Sequence, residues 1–319
     1  MAGDVVEGAN VPTRVDVANQ GAAGRATASR ATGTQTDAPV RVEVAREAGA
    51  CFGVERALTM VRDLAEKSRD SVYTLGPLIH NPSVVRELND AGVGVLDDPD
   101  SATAGSTLVL RTHGVTPDVE RRAKAAGCAV VDATCPFVKK VHKAAERLVA
   151  EGYDVLVVGE KGHPEVEGTL GHAVGARVVG SAADVDALQV GRKVGLVVQT
   201  TLAEQVLREV VAALVGRCDE LRVIDTICDA TSKRQEAAAD LADRAGVMIV
   251  VGGKNSANTT HLYDICAQRC ASTYHIELAD ELDAAWFAGA GLIGITAGAS
   301  TPASQIEDVR ACIERFVAA

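Results

Sequence analysis

Aromatic side chains are scarce: Phe, Tyr and Trp make up 3% of the 319 residues. Buried area must therefore come from aliphatic side chains. Val and Ala dominate, which suits buried parallel strands and close helix packing. No apolar stretch approaches the ~20 residues that a membrane helix needs, so no membrane partner is expected. Positive charge is not in excess either, because the formal net charge is −11. Nucleic-acid binders show a basic face, and that class is set aside. A small anionic ligand is not excluded, since helix N-termini and backbone N–H groups hold phosphate without net charge. No charged start followed by an apolar run opens the chain, so no secretory signal is expected. The expected compartment is the cytoplasm, where eight cysteines point to metal or redox chemistry rather than disulfides. There is no P-loop and no Gly-x-Gly-x-x-Gly between a strand and a helix, which argues against a nicotinamide or flavin held by that fingerprint.

What is present is length, aliphatic content and a repeat. At 47% hydrophobic, the chain can bury two or three units of ordinary size. Residues 1–40 are rich in Ala, Gly, Thr, Asp and Arg without a period, and read as a disordered leader. Beyond them one pattern recurs three times: an apolar run ends, a cysteine follows, and a helical spacing begins. It occurs at Arg46-Glu47-Ala48-Gly49-Ala50-Cys51-Phe52-Gly53, at Asp132-Ala133-Thr134-Cys135-Pro136 and at Asp225-Thr226-Ile227-Cys228-Asp229-Ala230-Thr231. Cys51 and Cys135 are 84 positions apart, and Cys135 and Cys228 are 93 apart. Repeats of this size are whole α/β units rather than solenoid modules. The expected fold class is α/β, with three pseudo-symmetric units and small parallel sheets around a shared centre. The units span 51–134, 135–227 and 228–319. The last lacks its final strand, which the stretch 41–50 at the front would supply.

Three thiolates meeting at the strand ends fit either a zinc site with an open position or a [4Fe–4S] cluster with one iron lacking a protein ligand. The all-cysteine set and a large central space favour iron–sulfur, although four cysteines are the usual complement. The plainer reading, three inert buried cysteines, is weakened by their repetition. Cys266 and Cys270 lack the repeat and read as helix packing. A second set follows other apolar runs: His80-Asn81, His113, His163 with Glu165, Thr200-Thr201, Ser256 with Asn258, and Ser300. Small polar and imidazole donors beside helix starts suit a diphosphate. For a single Ser or Thr the competing role is a helix N-cap. Lys254 is a weaker diphosphate candidate. Glu165 and Glu167 lie two apart, so in an extended loop only one can face the centre. A carboxyl there, kept from water, would have a raised pKa and could deliver a proton.

At this point the residues match a known pattern. The chain resembles the hydroxymethylbutenyl diphosphate reductases, iron–sulfur enzymes of the methylerythritol phosphate route to isoprenoids. The resemblance runs from about Val42 to the C-terminus. It rests on Cys51-Phe52-Gly53-Val54, His80-Asn81, Thr112-His113-Gly114-Val115, Asp132-Ala133-Thr134-Cys135-Pro136, Gly162-His163-Pro164-Glu165-Val166-Glu167-Gly168-Thr169, Gln199-Thr200-Thr201, Ile227-Cys228, Lys254-Asn255-Ser256 with Asn258, and Thr296-Ala297-Gly298-Ala299-Ser300. It implies that Cys51, Cys135 and Cys228 ligate a [4Fe–4S] cluster. It implies that His80, His113, Ser256, Asn258 and Ser300 hold the diphosphate, that His163 and Thr200 line the substrate hydroxyl, and that Glu165 supplies protons. Two electrons from a ferredoxin or flavodoxin and two protons would remove the hydroxyl as water, giving isopentenyl or dimethylallyl diphosphate. Three features depart from the family's pattern, the first being the leader. Ala257 stands where a second hydroxyl residue is common, which costs one hydrogen bond to a charged partner, roughly 1.5–3 kcal/mol. The stretch Asp229 to Gln235 also differs from the commonest form. Two other classes remain on the residues alone: a non-catalytic iron–sulfur or zinc sensor on the same scaffold, and a zinc-dependent hydrolase.

Overall fold

The computed structural model describes residues 39–68 and 70–318; the leader expected over residues 1–40 lies outside them except for its last two positions. β1 (Arg41–Val44) comes first, and α1 (Phe52–Lys67) follows Cys51. Next are β2 (Val72–Leu75), α2 (Pro82–Asp90), β3 (Val93–Leu96), β4 (Thr107–Leu110), α3 (Pro117–Ala125) and β5 (Ala129–Asp132). After Cys135 the chain forms α4 (Pro136–Ala150), β6 (Asp154–Val158), α5 (Pro164–His172), β7 (Arg177–Val179), α6 (Ala182–Asp186), β8 (Lys193–Val198), α7 (Glu204–Leu214) and β9 (Glu220–Val223). After Cys228 come α8 (Asp229–Ala242), β10 (Val247–Val251), α9 (Ala257–Ala267), β11 (Thr273–Ile276), β12 (Leu292–Ala297) and α10 (Ala303–Ala318).

The class is α/β, built on three four-stranded sheets in which every pairing is parallel. Their orders are β3-β2-β4-β5, β7-β6-β8-β9 and β11-β10-β12-β1. These are one topology written three times, with β1 from the front of the chain in the place that β5 and β9 take elsewhere. The middle pair of each sheet runs its connections outward in opposite directions. That is a topological switch point, where a crevice opens beyond the strands' carboxyl ends. The central strands β8, β10 and β12 carry Val, Ile, Leu and Met, and all but the first residue of β8 are buried. The outer strands β1, β5 and β9 are partly exposed. Helices close the cores with aliphatic faces. In α1, Val54, Ala57, Leu58 and Val61 pack on Val72 and Val109.

Two helices start earlier than apolar spacing predicts. The periodicity places their starts at Lys233 and Thr260, whereas α8 begins at Asp229 and α9 at Ala257. In both, the first turn buries polar side chains, Thr231 in α8 and Asn258 and Thr259 in α9, so hydrophobic spacing does not register it. Ser256 fills the competing role named for it, since its hydroxyl caps α9 by accepting from Thr259 N.

Candidate active site

The three cysteines occupy equivalent positions. Each follows the fourth strand of a sheet (β1, β5 or β9) and stands as N-cap of the next helix, α1, α4 or α8. Each backbone N–H donates to the loop that leaves the neighbouring third strand. Cys51 N reaches Ala299 O at 3.1 Å, Cys135 N reaches Thr112 O at 2.9 Å, and Cys228 N reaches Thr200 O at 3.0 Å. One repeated backbone bond therefore ties each cysteine to a ligand-type loop. No thiol is spent on capping its own helix.

Cys51, Cys135 and Cys228 line one cavity, together with Arg234 and Thr231. Gly53 shows how close two of the sulfurs are. A Cβ there would lie 2.6 Å from Cys135 Sγ and 3.9 Å from Cys51 Sγ, so those sulfurs are at most about 6.5 Å apart. Burial raises the thiol pKa of Cys135 and of Cys228, and the helix-start amides beside each oppose it. A metal in the cavity would compensate that burial, since a coordinated thiol is held as thiolate. Among the described residues, one trio of His, Cys, Asp or Glu side chains has ligand atoms all within 4.8 Å, namely His80, His113 and His163. The three sulfurs are spread wider. A tetrahedral single ion with bonds of ~2.3 Å would draw sulfurs to about 3.8 Å. The set therefore fits a larger inorganic core better than a lone zinc.

The adjoining cavity is lined by Cys51 and Cys135 and by most of the polar residues singled out in the sequence: His80, His113, His163 and Glu165, then Thr200, Thr201, Ser256, Asn258 and Ser300, whereas the side chain of Asn81 caps α2. They arrive on loops after the middle strands of the three sheets, at the switch points. The imidazoles form a cluster with ring centroids 4.3, 5.4 and 5.6 Å apart. Glu165 N–H donates to His163 Nδ1 at 3.1 Å, so the neutral ring carries its proton on Nε2. A metal on Nε2 would force a proton onto Nδ1 against that amide. His163 Nε2–H is thus able to donate to an oxygen and ill suited to ligate a metal. Burial, with the neighbouring rings and Arg111, holds all three pKa values down, His113 well below its ordinary value and His163 at about 4. His80 Nε2, His113 Nδ1 and both polar atoms of Asn258 are buried without a partner. Orphaned buried polar atoms cost about 1–3 kcal/mol each, and a polyoxygenated ligand would satisfy them.

Glu165 is 3% exposed and sits in the first turn of α5. The expected extended loop is therefore a helix, yet residues two apart still diverge. Glu167 is exposed and accepts from Gly162 N. Thr200 N donates to Glu165 Oε1 at 2.6 Å, and Thr200 Oγ1 donates to Oε2 at 2.8 Å. Burial pushes the carboxyl up to about 7, although both bonds oppose it.

Lys254 is not at this site. Its ammonium pairs with Glu281 at 2.6 Å on the surface. Three contributors escaped sequence reasoning: Arg111 beside the imidazoles, Gly53 beneath the sulfurs, and Arg234. A lone Arg carries no motif. Gly53 had only a weak signal, a glycine within a helical pattern where alanine would be the better helix former.

A family profile described as LytB protein matches residues 42–314. The 4-hydroxy-3-methylbut-2-enyl diphosphate reductase of Aquifex aeolicus (strain VF5) is 44% identical over 281 residues, 87% of this chain and 97% of that protein. The protein of the same name in Geobacter sulfurreducens is 46% identical over 278 residues, 87% of this chain and 98% of that one. A solved structure of (E)-4-hydroxy-3-methyl-but-2-enyl diphosphate reductase, described as the terminal enzyme of the non-mevalonate pathway, matches with a TM-score of 0.66 at 44% identity, covering 86% of this chain and 99% of its own. The structure of the Plasmodium falciparum reductase matches with a TM-score of 0.81 at 28% identity, covering 84% and 86%.

Proposed function

The chain belongs to the LytB protein family, and from that premise we propose that it reductively dehydroxylates (E)-4-hydroxy-3-methylbut-2-enyl diphosphate to isopentenyl and dimethylallyl diphosphate. It is an oxidoreductase of isoprenoid biosynthesis by the non-mevalonate route. The observation that carries this reading is a buried carboxyl titrating near neutrality, bonded to Thr200 and sharing one cavity with two of the repeated cysteines and the unpartnered Asn258. A sensor would need the cysteines but neither Glu165 nor the donor cradle.

In this reading Cys51, Cys135 and Cys228 hold a [4Fe–4S] cluster, which supplies electrons and Lewis acidity for C–O cleavage when bound. His80, His113, Ser256, Asn258 and Ser300 hold the diphosphate, whose charge the unpartnered nitrogens face. His163 Nε2–H and the Thr200 hydroxyl orient the substrate's hydroxyl. Glu165, about half protonated near pH 7, passes one proton through Thr200 Oγ1 to the departing oxygen, which leaves as water, and a second proton taken up at either end of the two-electron-reduced allylic fragment gives the two products. The burial of Glu165 shields its proton from bulk water. The two electrons come one at a time from a ferredoxin or flavodoxin. The three sheets with their helices act as units 51–134, 135–227 and 228–319, the last completed by 41–50, in a cytoplasmic enzyme. Among the described residues, no helix is long and apolar enough to cross a membrane.

The test is anaerobic reconstitution with iron and sulfide, followed by turnover of the allylic diphosphate with a reduced dye. Expected are about four irons per chain and both five-carbon diphosphate products. Iron uptake without turnover would leave the sensor, and zinc uptake with hydrolysis would leave the hydrolase.

A further inference from the structure

Arg234 lies in α8, six residues after Cys228, and is 4% exposed. Long cationic side chains are almost never this buried unless paired. Yet both its bonds go to neutral carbonyls: Nη2 donates to Gly49 O at 2.8 Å and Nη1 to Ala230 O at 3.1 Å. Nε is buried with no partner. Burial pulls the guanidinium pKa down, and the charges that oppose this are Cys51, Glu47 and Cys228. Glu47 is exposed, so solvent screens it. What remains facing the cation is the cysteine cavity, which Arg234 itself lines.

We propose that Arg234 is the fixed countercharge of the three-cysteine centre, tying the Cys51 loop to the Cys228 helix and biasing the centre toward its reduced state. The inference rests on the cluster reading above. A buried cation is costly unless a negative group compensates it. Three thiolates around an inorganic core provide that negative charge, and each added electron increases it. A guanidinium at fixed distance therefore favours the reduced form, since net charge and nearby donors set cluster potentials. The Gly49 bond spans 185 positions of sequence and anchors the segment just before Cys51. Arg234 thus acts through the centre, as a positioning and tuning residue.

The experiment compares wild type, Arg234→Gln and Arg234→Lys after anaerobic reconstitution. It reads iron and acid-labile sulfide content and the midpoint potential by spectroscopic redox titration. Gln can keep a bond to a carbonyl but loses the charge, whereas Lys keeps the charge. Expected are wild-type iron in the Gln variant with a more negative midpoint, and a Lys midpoint restored toward wild type. An unchanged midpoint in a fully loaded Gln variant overturns the proposal. If the Gln variant takes up no iron, loading by the Lys variant supports the countercharge. Failure of both, with native circular dichroism, shows that guanidinium geometry alone matters and overturns it. Absence of iron in the wild type would instead sink the functional reading, so the two failures are distinguishable.

Discussion

Replacing Glu165 by Gln removes a proton donor and an ionisable group while keeping the shape. Glu165 accepts from Thr200 N at 2.6 Å and from Thr200 Oγ1 at 2.8 Å. A Gln carbonyl can keep the amide bond, and its NH2 can donate to a rotated hydroxyl. The carboxyl pKa stands at about 7 against an ordinary 4.5, and burial is the first cause. That displacement is worth about 3 kcal/mol of penalty on the anion. The folded pKa lies above the unfolded one. Stability from this group is therefore fully present below about pH 4.5 and lost as pH rises through about 7. The Gln variant has no such loss. Its stability relative to wild type should rise by roughly 2–3 kcal/mol between pH 5 and pH 8, read by denaturant melts. Loss of general acid catalysis should lower kcat by about 10²- to 10⁴-fold with iron content unchanged. In wild type the rate should fall as pH climbs through about 7, and that limb should vanish in the variant. Wild-type turnover in Glu165→Gln would remove Glu165 from the chemistry. A stability difference flat with pH would refute the raised pKa.

Three further outcomes are expected. Cys135→Ser should lose most bound iron, because a neutral hydroxyl replaces a thiolate among three, and full loading by iron and sulfide assay would contradict the ligand set. Gly53→Ala should leave the metal-free chain folded, at the cost of shifting the Cys135 thiol that the added Cβ meets. It should still lower iron uptake, because the added Cβ would stand 2.6 Å from Cys135 Sγ, and unimpaired uptake would count against convergence of the sulfurs. Ala257→Ser returns a hydroxyl to the cavity wall beside Ser256 and Asn258. A bond to a charged oxygen of about 1.5 kcal/mol or more should lower KM about tenfold, and an unchanged KM would show that the diphosphate lies elsewhere.

The scaffold was legible because the period repeats and the strands are aliphatic. The strand at the front was assigned to the third sheet by counting alone, and Arg41 to Val44 does pair with Leu292 to Ile295. Side chains that break local rules were harder to place. The first turns of α8 and α9 look unhelical because their buried faces are polar. Arg234, between Lys233 and Gln235, carries no local signal, since only the fold shows that it turns inward. Lys254 looked like an anion ligand by its loop, but its ammonium pairs with Glu281 on the surface. The repeat is also kept unevenly. The three cysteine amides make the same bond to the same kind of loop. The loops after the first middle strands, however, carry His80, His163 and Ser256, and those after the second carry His113, Thr200 and Ser300. Threefold sameness thus belongs to the sulfur-bearing backbone. The diphosphate and the acid call for unlike groups on unlike sides, so donor identity had to diverge wherever the substrate is asymmetric. Period reading reaches the first layer and stops there, because no spacing encodes which of three equivalent loops must supply a proton.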